Sequence, residues 1–162
     1  MATLAGTRPL KRDRFPDANG IFHVSWCTER RVRYLKPLQA GRAVVHALRA
    51  SDADALTETL TYVVLADQVH WLFVLGDFVA LSRPVRQVKQ ASEAAIRRTF
   101  PFSGPLWQPA FAEVPVSDLD AAAELARQLV MEPVRRRQSP AAGAWPHWDT
   151  RFASVLEAVA AH

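Results

Sequence analysis

Cysteine occurs once in the 162 residues, at Cys27. That excludes an intramolecular disulfide and any zinc module built on cysteines, and it makes a reducing, cytoplasmic setting the expectation. No apolar run reaches the roughly 18 residues that span a bilayer, and the N-terminus has no apolar stretch of the signal-peptide kind, so no membrane partner is expected. Lysine is scarce: Lys11, Lys36 and Lys89 are the only ones among 20 Lys+Arg. The excess over 16 Asp+Glu, a formal +4, is therefore almost entirely arginine. Guanidinium forks suit phosphates, and the balance leans toward a polyanionic partner. At 49% hydrophobic and 22% charged, with no repeat or low-complexity tract, the chain is one domain with a core large enough to fold alone.

Residues 1–19 read as a basic arm, with Arg8, Lys11, Arg12 and Arg14 set around Pro9 and Pro16. The domain proper is expected over 20–138, with 139–162 as a tail packed on it or extending it. Ile21 to Thr28 is a strand, and Glu29 to Lys36 a charged loop holding Arg30, Arg31 and Arg33. Pro37 to Ala50 has helical spacing, ended by Ser51-Asp52-Ala53-Asp54. Two β-rich runs within Tyr62 to Leu75 flank Ala66-Asp67, the pattern of a hairpin. A helix over Val79 to Thr99 is expected to take Ser82 as cap. Its inner stripe runs through Val85, Val88, Ser92 and Ile96, leaving Arg83, Arg86 and Lys89 on a basic outer face. Leu106 to Val116 contains Pro109 and Pro115 and so reads as an edge strand. A third helix starts near Ser117 or Asp118 and is expected to stop before Pro133. Trp145 to Asp149 reads as turn, followed by a short helix over 154–161. The order strand, helix, hairpin, helix, strand, helix gives an α+β fold: a ferredoxin-like, four-stranded antiparallel sheet.

Gln68 and His70 open the second strand of the hairpin and share a face, because strand side chains alternate. An amide and an imidazole side by side can hold a metal, or they can be polar groups satisfied by ordinary hydrogen bonds.

Four blocks occur in a specific order. They are Phe22-His23-Val24, Tyr62 through Leu72, Leu106-Trp107-Gln108-Pro109-Ala110-Phe111, and Glu132-Pro133-Val134-Arg135, with Pro146-His147-Trp148-Asp149 as a tail. In these blocks the chain resembles the REP-associated tyrosine transposases, a branch of the single-tyrosine HUH transposases. The resemblance implies a strand-borne pair of histidines holding a divalent metal. It also implies a tyrosine on the last conserved helix that attacks single-stranded DNA and becomes linked to its 5′ phosphate, and a polar metal ligand one turn further on.

The sequence departs from that pattern where the chemistry lies. Gln68 stands at the first histidine of the pair, Gln128 at the tyrosine, and Glu132 at the polar position before the proline. The only tyrosines, Tyr34 and Tyr62, fall in a loop and a strand. An amide cannot form a phosphotyrosine intermediate, so the covalent mechanism is expected to be lost. His70, Glu132 and Gln68 would form a degenerate ligand set suited to Mg²⁺ or Mn²⁺. The other reading is a hydrogen-bonded cluster of Gln68, His70, Gln128 and Glu132, with Glu132 favouring a charged His70. The resemblance implies hairpin or single-stranded DNA as partner, bound by a monomer or homodimer. The candidate contacts are the arm, Arg83, Arg86, Lys89 and Arg135, Arg136 and Arg137, with Trp107 or Trp148 for base stacking. Three readings follow: a DNA-binding protein that no longer cuts, a metal-dependent nuclease with an atypical site, or a protein-interaction module reusing the fold.

Overall fold

Alternation in the first strand sets the architecture. In β1 (Ile21–Cys27), Phe22, Val24 and Trp26 are buried, while Ile21, His23, Ser25 and Cys27 are half-buried on the other face. The computed structural model describes residues 19–161, so Arg8, Lys11, Arg12 and Arg14 of the basic arm lie outside the described residues. β2 (Thr57–Val64) and β3 (Gln68–Leu75) form the expected hairpin, and β3 also pairs with β1. β4 (Ala112–Val116) and β5 (Trp148–Thr150) close the two edges. The sheet order is β4-β1-β3-β2-β5, and every pairing is antiparallel. The first four strands keep the ferredoxin-like order, and β5 adds a fifth.

Helices cover both faces. Helix α1 (Leu38–Ala53) and helix α2 (Ser82–Thr99) pack against the Val24, Trp26, Trp71 and Phe73 side, contributing Val44, Leu48, Val85, Val88 and Ile96. On the opposite face, α3 (Leu119–Val130) lays Ala122, Ala126, Leu129 and Val130 against Val63 and Leu72. Asp118 caps α3 by accepting from the Ala121 N–H at 2.8 Å, satisfying one of the orphan donors of the first turn. A one-turn helix α4 (Glu132–Arg135) follows α3, and α5 (Ala153–Ala160) ends the chain with Val155 in the second core. Among the described residues no helix is long and apolar enough to cross a membrane.

Several boundaries differ from the expectation, each for a local reason. Helix α1 runs through Ser51 and Asp52, whose side chains reach forward to β2. The Ser51 and Thr57 hydroxyls lie 2.8 Å apart, and the Asp52 carboxylate accepts from Thr57 Oγ1 at 2.7 Å and Thr59 N at 3.1 Å. Ser82 is the first residue of α2 and forms no cap bond. Pro133 does not end the helical path, because it sits in the first turn of α4, where its missing N–H costs nothing. The edge strand is shorter than Leu106–Val116, since 106–111 is a loop joined to the end of β1 by an isolated bridge between Thr28 and Trp107. The tail is not all turn: Trp148 to Thr150 pair with Val63 to Thr61, and the Thr61 and Thr150 hydroxyls meet at 2.8 Å. Gly41 makes this docking fit, because a Cβ there would overlap the imidazole of His147.

Candidate functional site

The strand register brings the polar residues of β1 and β3 together. Ser25 lies opposite His70, Cys27 opposite Gln68, and His23 opposite Leu72. All point to the face covered by α3 and α4. His23 Nε2 lies 3.1 Å from His70 Nδ1, with the rings stacked at 5.3 Å and 24°. His23 was not singled out from the sequence as a site residue. Its block and its strand alternation were both legible, but the diagonal contact with His70 needs the β1–β3 register.

Both histidines are held toward the neutral form. Burial, then the neighbouring His23, pushes His70 down to about 4, against a smaller upward pull from Glu132. Burial lowers His23 as well, with Glu132 opposing. The expectation of a charged His70 paired with Glu132 is therefore overturned: desolvation outweighs the carboxylate, and the partner of His70 is His23.

The reason is visible at Glu132. Its carboxylate is already occupied, with Arg135 at 2.8 Å and Arg136 at 3.1 Å. Burial raises its pKa, but the Arg136 hydrogen bond and the nearby positive charges outweigh that and hold it below the ordinary value. Gln128 is exposed and makes no side-chain hydrogen bond among the described residues, so it does not join the cluster. Arg31 adds a further positive charge, bonded to Asp67 at 3.0 Å.

Two orphaned polar atoms on this face, Gln68 Oε1 and His70 Nε2, are buried without a partner. Among the described residues no group of three His, Cys, Asp or Glu could hold a metal ion. The remaining donors, His23, His70 and Gln68, are neutral, the one carboxylate is taken by guanidiniums, and Arg31 and Arg136 both oppose added positive charge at His70. The ligand set of His70, Gln68 and Glu132 expected for Mg²⁺ or Mn²⁺ does not fit.

The proposed DNA contacts separate into two surfaces. Arg135 and Arg136 are committed to Glu132, Arg136 close enough to act on His70, and Arg137 is exposed at φ 57°. Arg83 and Arg86 are exposed on α2, across the sheet. Lys89 on the same helix is a structural tie. Its amine donates to the Gln108 and Ala110 carbonyls at 2.8 and 3.2 Å, and burial lowers its pKa. Both tryptophans have packing or hydrogen-bond partners within the fold. Trp107 is buried edge-on to Trp26 at 5.9 Å, and Trp148 is half-buried with Nε1 donating to Ala142 O at 2.8 Å. Tyr62 is buried in the core and Tyr34 packs on Phe102, so neither approaches α3 as a nucleophile.

This arrangement of sheet and helices has solved counterparts. A REP-associated tyrosine transposase bound to a REP hairpin superposes with a TM-score of 0.68, at 20% identity over 81% of this chain and 76% of that one. The chain has the fold of a REP-associated tyrosine transposase. A protein from Deinococcus radiodurans R1, described as a "putative transposase", matches with a TM-score of 0.53, at 23% identity over 65% of this chain and 85% of that one. No protein-family model and no curated protein matches the sequence. The likeness therefore lies in the fold, and the residues that would carry transposase chemistry have to be judged on their own geometry.

Proposed function

We propose that the protein is a transposase-like DNA-binding protein that recognises hairpin DNA and its adjoining single strand and does not cut it through a tyrosine. The observation that carries the reading is the state of the centre. Gln128 stands exposed on α3 where the resemblance calls for the nucleophile, and Glu132 is tied to Arg135 and Arg136 rather than open to a metal. The shared fold with a hairpin-bound transposase supports DNA as the partner. Of the candidate contacts on the described surface, Arg137, Arg83 and Arg86 are exposed and make no ion pair there, which leaves them open to phosphates, and Arg8, Lys11, Arg12 and Arg14 would add to them. A cytoplasmic setting is part of the proposal.

Binding of this kind is driven by counterion release. Each phosphate contact contributes about −0.9 to the slope of log affinity against log salt. Filter binding of a labelled hairpin with a single-stranded tail, repeated across a salt series, should give a slope of about −2.7 if these three arginines engage, and a steeper one if further cations join them. A slope near zero would sink the reading, as would equal affinity for heparin, which has charge but no bases.

A further inference from the structure

The charged loop after β1 touches the centre described above only through the charge of Arg31, and it is built at some conformational cost. Arg30, at φ 55° and ψ 18°, and Arg31, at φ 57°, are consecutive non-glycine residues in the left-handed region. Such residues persist only when their surroundings over-determine them, and they cluster at ligand clamps. Here the surroundings do so. Thr28 Oγ1 donates to Val32 O at 2.6 Å, Arg31 N to Thr28 O at 3.1 Å, Glu29 N to Leu106 O at 2.8 Å, and Leu35 N to Ala66 O at 2.9 Å. Arg31 is spent on Asp67. Arg30, Arg33 and Lys36 are exposed and make no ion pair among the described residues.

A second loop, 100–105, comes up against this one and is clamped independently. Arg97 lies 4.0 Å over the Phe102 ring, donates to the Phe102 and Gly104 carbonyls at 2.9 and 2.8 Å, and pairs with Glu93 at 3.3 Å. Phe102 in turn backs Tyr34, ring to ring at 5.0 Å and 37°. Between the loops is an open depression of about 400 Å³ lined by Glu29, Arg30, Tyr34, Ser103, Gly104 and Pro105. An aromatic ring held from behind, beside the exposed Arg30, is the arrangement that takes stacked bases of a single strand. The lining itself holds one cation, Arg30, and one acid, Glu29, and the same loop adds Arg33 and Lys36, both exposed, so the loop as a whole carries an excess of positive charge that favours a polyanion. The loop leaves β1 at Cys27, which lies opposite Gln68, so the depression is at the same end of the sheet as the histidine pair.

We propose that this depression is a nucleotide subsite for single-stranded DNA: a base of the strand beside the hairpin stacks on Tyr34, and Arg30 and Arg33 hold the flanking phosphates. The subsite rests on the function proposed above and adds where the single strand goes.

The test compares a tailed hairpin with the same hairpin made blunt, using fluorescence anisotropy and 2-aminopurine in the tail. The wild-type protein should bind the tailed form about tenfold more tightly, with 2-aminopurine quenched on binding. Tyr34→Leu should remove most of that advantage and Tyr34→Phe should keep it. Arg30→Gly should reduce the advantage by about fivefold and lower the salt slope by about one. Because glycine accepts the left-handed conformation, Arg30→Gly should not lower the unfolding midpoint, which separates lost contact from lost structure. A tail advantage unchanged in both Tyr34→Leu and Arg30→Gly overturns the subsite. Equal wild-type binding of tailed and blunt hairpins also overturns it while leaving hairpin recognition intact. Failure to bind either hairpin removes the functional reading and the subsite with it.

Discussion

Acid should destabilise this protein through His70, and the size of the effect follows from its burial. The ordinary histidine value of 6.5 falls to about 4 in the folded chain. Above about pH 6.5 both folded and unfolded chains carry neutral imidazole and the contribution vanishes. Between 6.5 and about 4 the unfolded chain takes up a proton that the folded chain refuses, so stability falls as pH falls. At pH 5 the unfolded histidine is almost fully charged and the folded one almost fully neutral. That difference is worth about 2 kcal/mol relative to pH 7. The perturbation is His70→Asn, which keeps a polar side chain and removes the titration. Urea unfolding at pH 7 and pH 5, followed by two probes to check two-state behaviour, should show the wild-type protein losing about 2 kcal/mol more than the variant over that interval. Because His23 is bonded to His70, the difference reports the coupled pair rather than one ring. Equal pH dependence in the two proteins would refute the burial argument. A wild-type protein that gains stability toward pH 5 would restore the charged His70–Glu132 pair.

Other expectations follow from single contacts. Gly41→Ala should drive a methyl into the His147 ring and cost about 1–3 kcal/mol by thermal unfolding, and an unchanged midpoint would mean the tail does not dock as described. Asp118→Ala removes the cap of α3 and should cost about 1 kcal/mol, with Asp118→Ser recovering most of it; a neutral Asp118→Ala would place the helix start elsewhere. Millimolar Mn²⁺ should leave the unfolding midpoint where EDTA leaves it, since a site binding a hundredfold below that concentration would stabilise by about 2.7 kcal/mol. A clear upward shift lost in His70→Asn would return the metal to the centre.

Much of the fold was legible because its signals are local. The alternation of Phe22, Val24 and Trp26, the hairpin at Ala66-Asp67 and the stripe Val85, Val88, Ile96 each fix an element and its buried face. What was misread depends on partners far away in sequence. Ser51 and Asp52 look like helix breakers until β2 supplies Thr57 and Thr59 as partners. Trp148 to Thr150 are too few to show a strand period, and only the open edge of β2 makes them one. At the site, the common face of Gln68 and His70 followed from strand geometry alone. The capture of Glu132 by Arg135 and Arg136 followed from helical spacing and was overlooked because the resemblance assigned Glu132 to a metal. His23 was hidden for the opposite reason: its role is a contact across strands 47 residues apart in sequence.

The most direct test of binding without cutting is one incubation read on two gels. A hairpin with a single-stranded tail, end-labelled on either strand end, is mixed with the protein in EDTA and again in Mn²⁺. A native gel reads the complex, and a denaturing gel reads strand length and any protein-linked DNA. The structure predicts the same retarded complex under both conditions, full-length strand throughout and no covalent adduct. Shortened or protein-linked strand that appears only with Mn²⁺ and disappears in His70→Asn would contradict it.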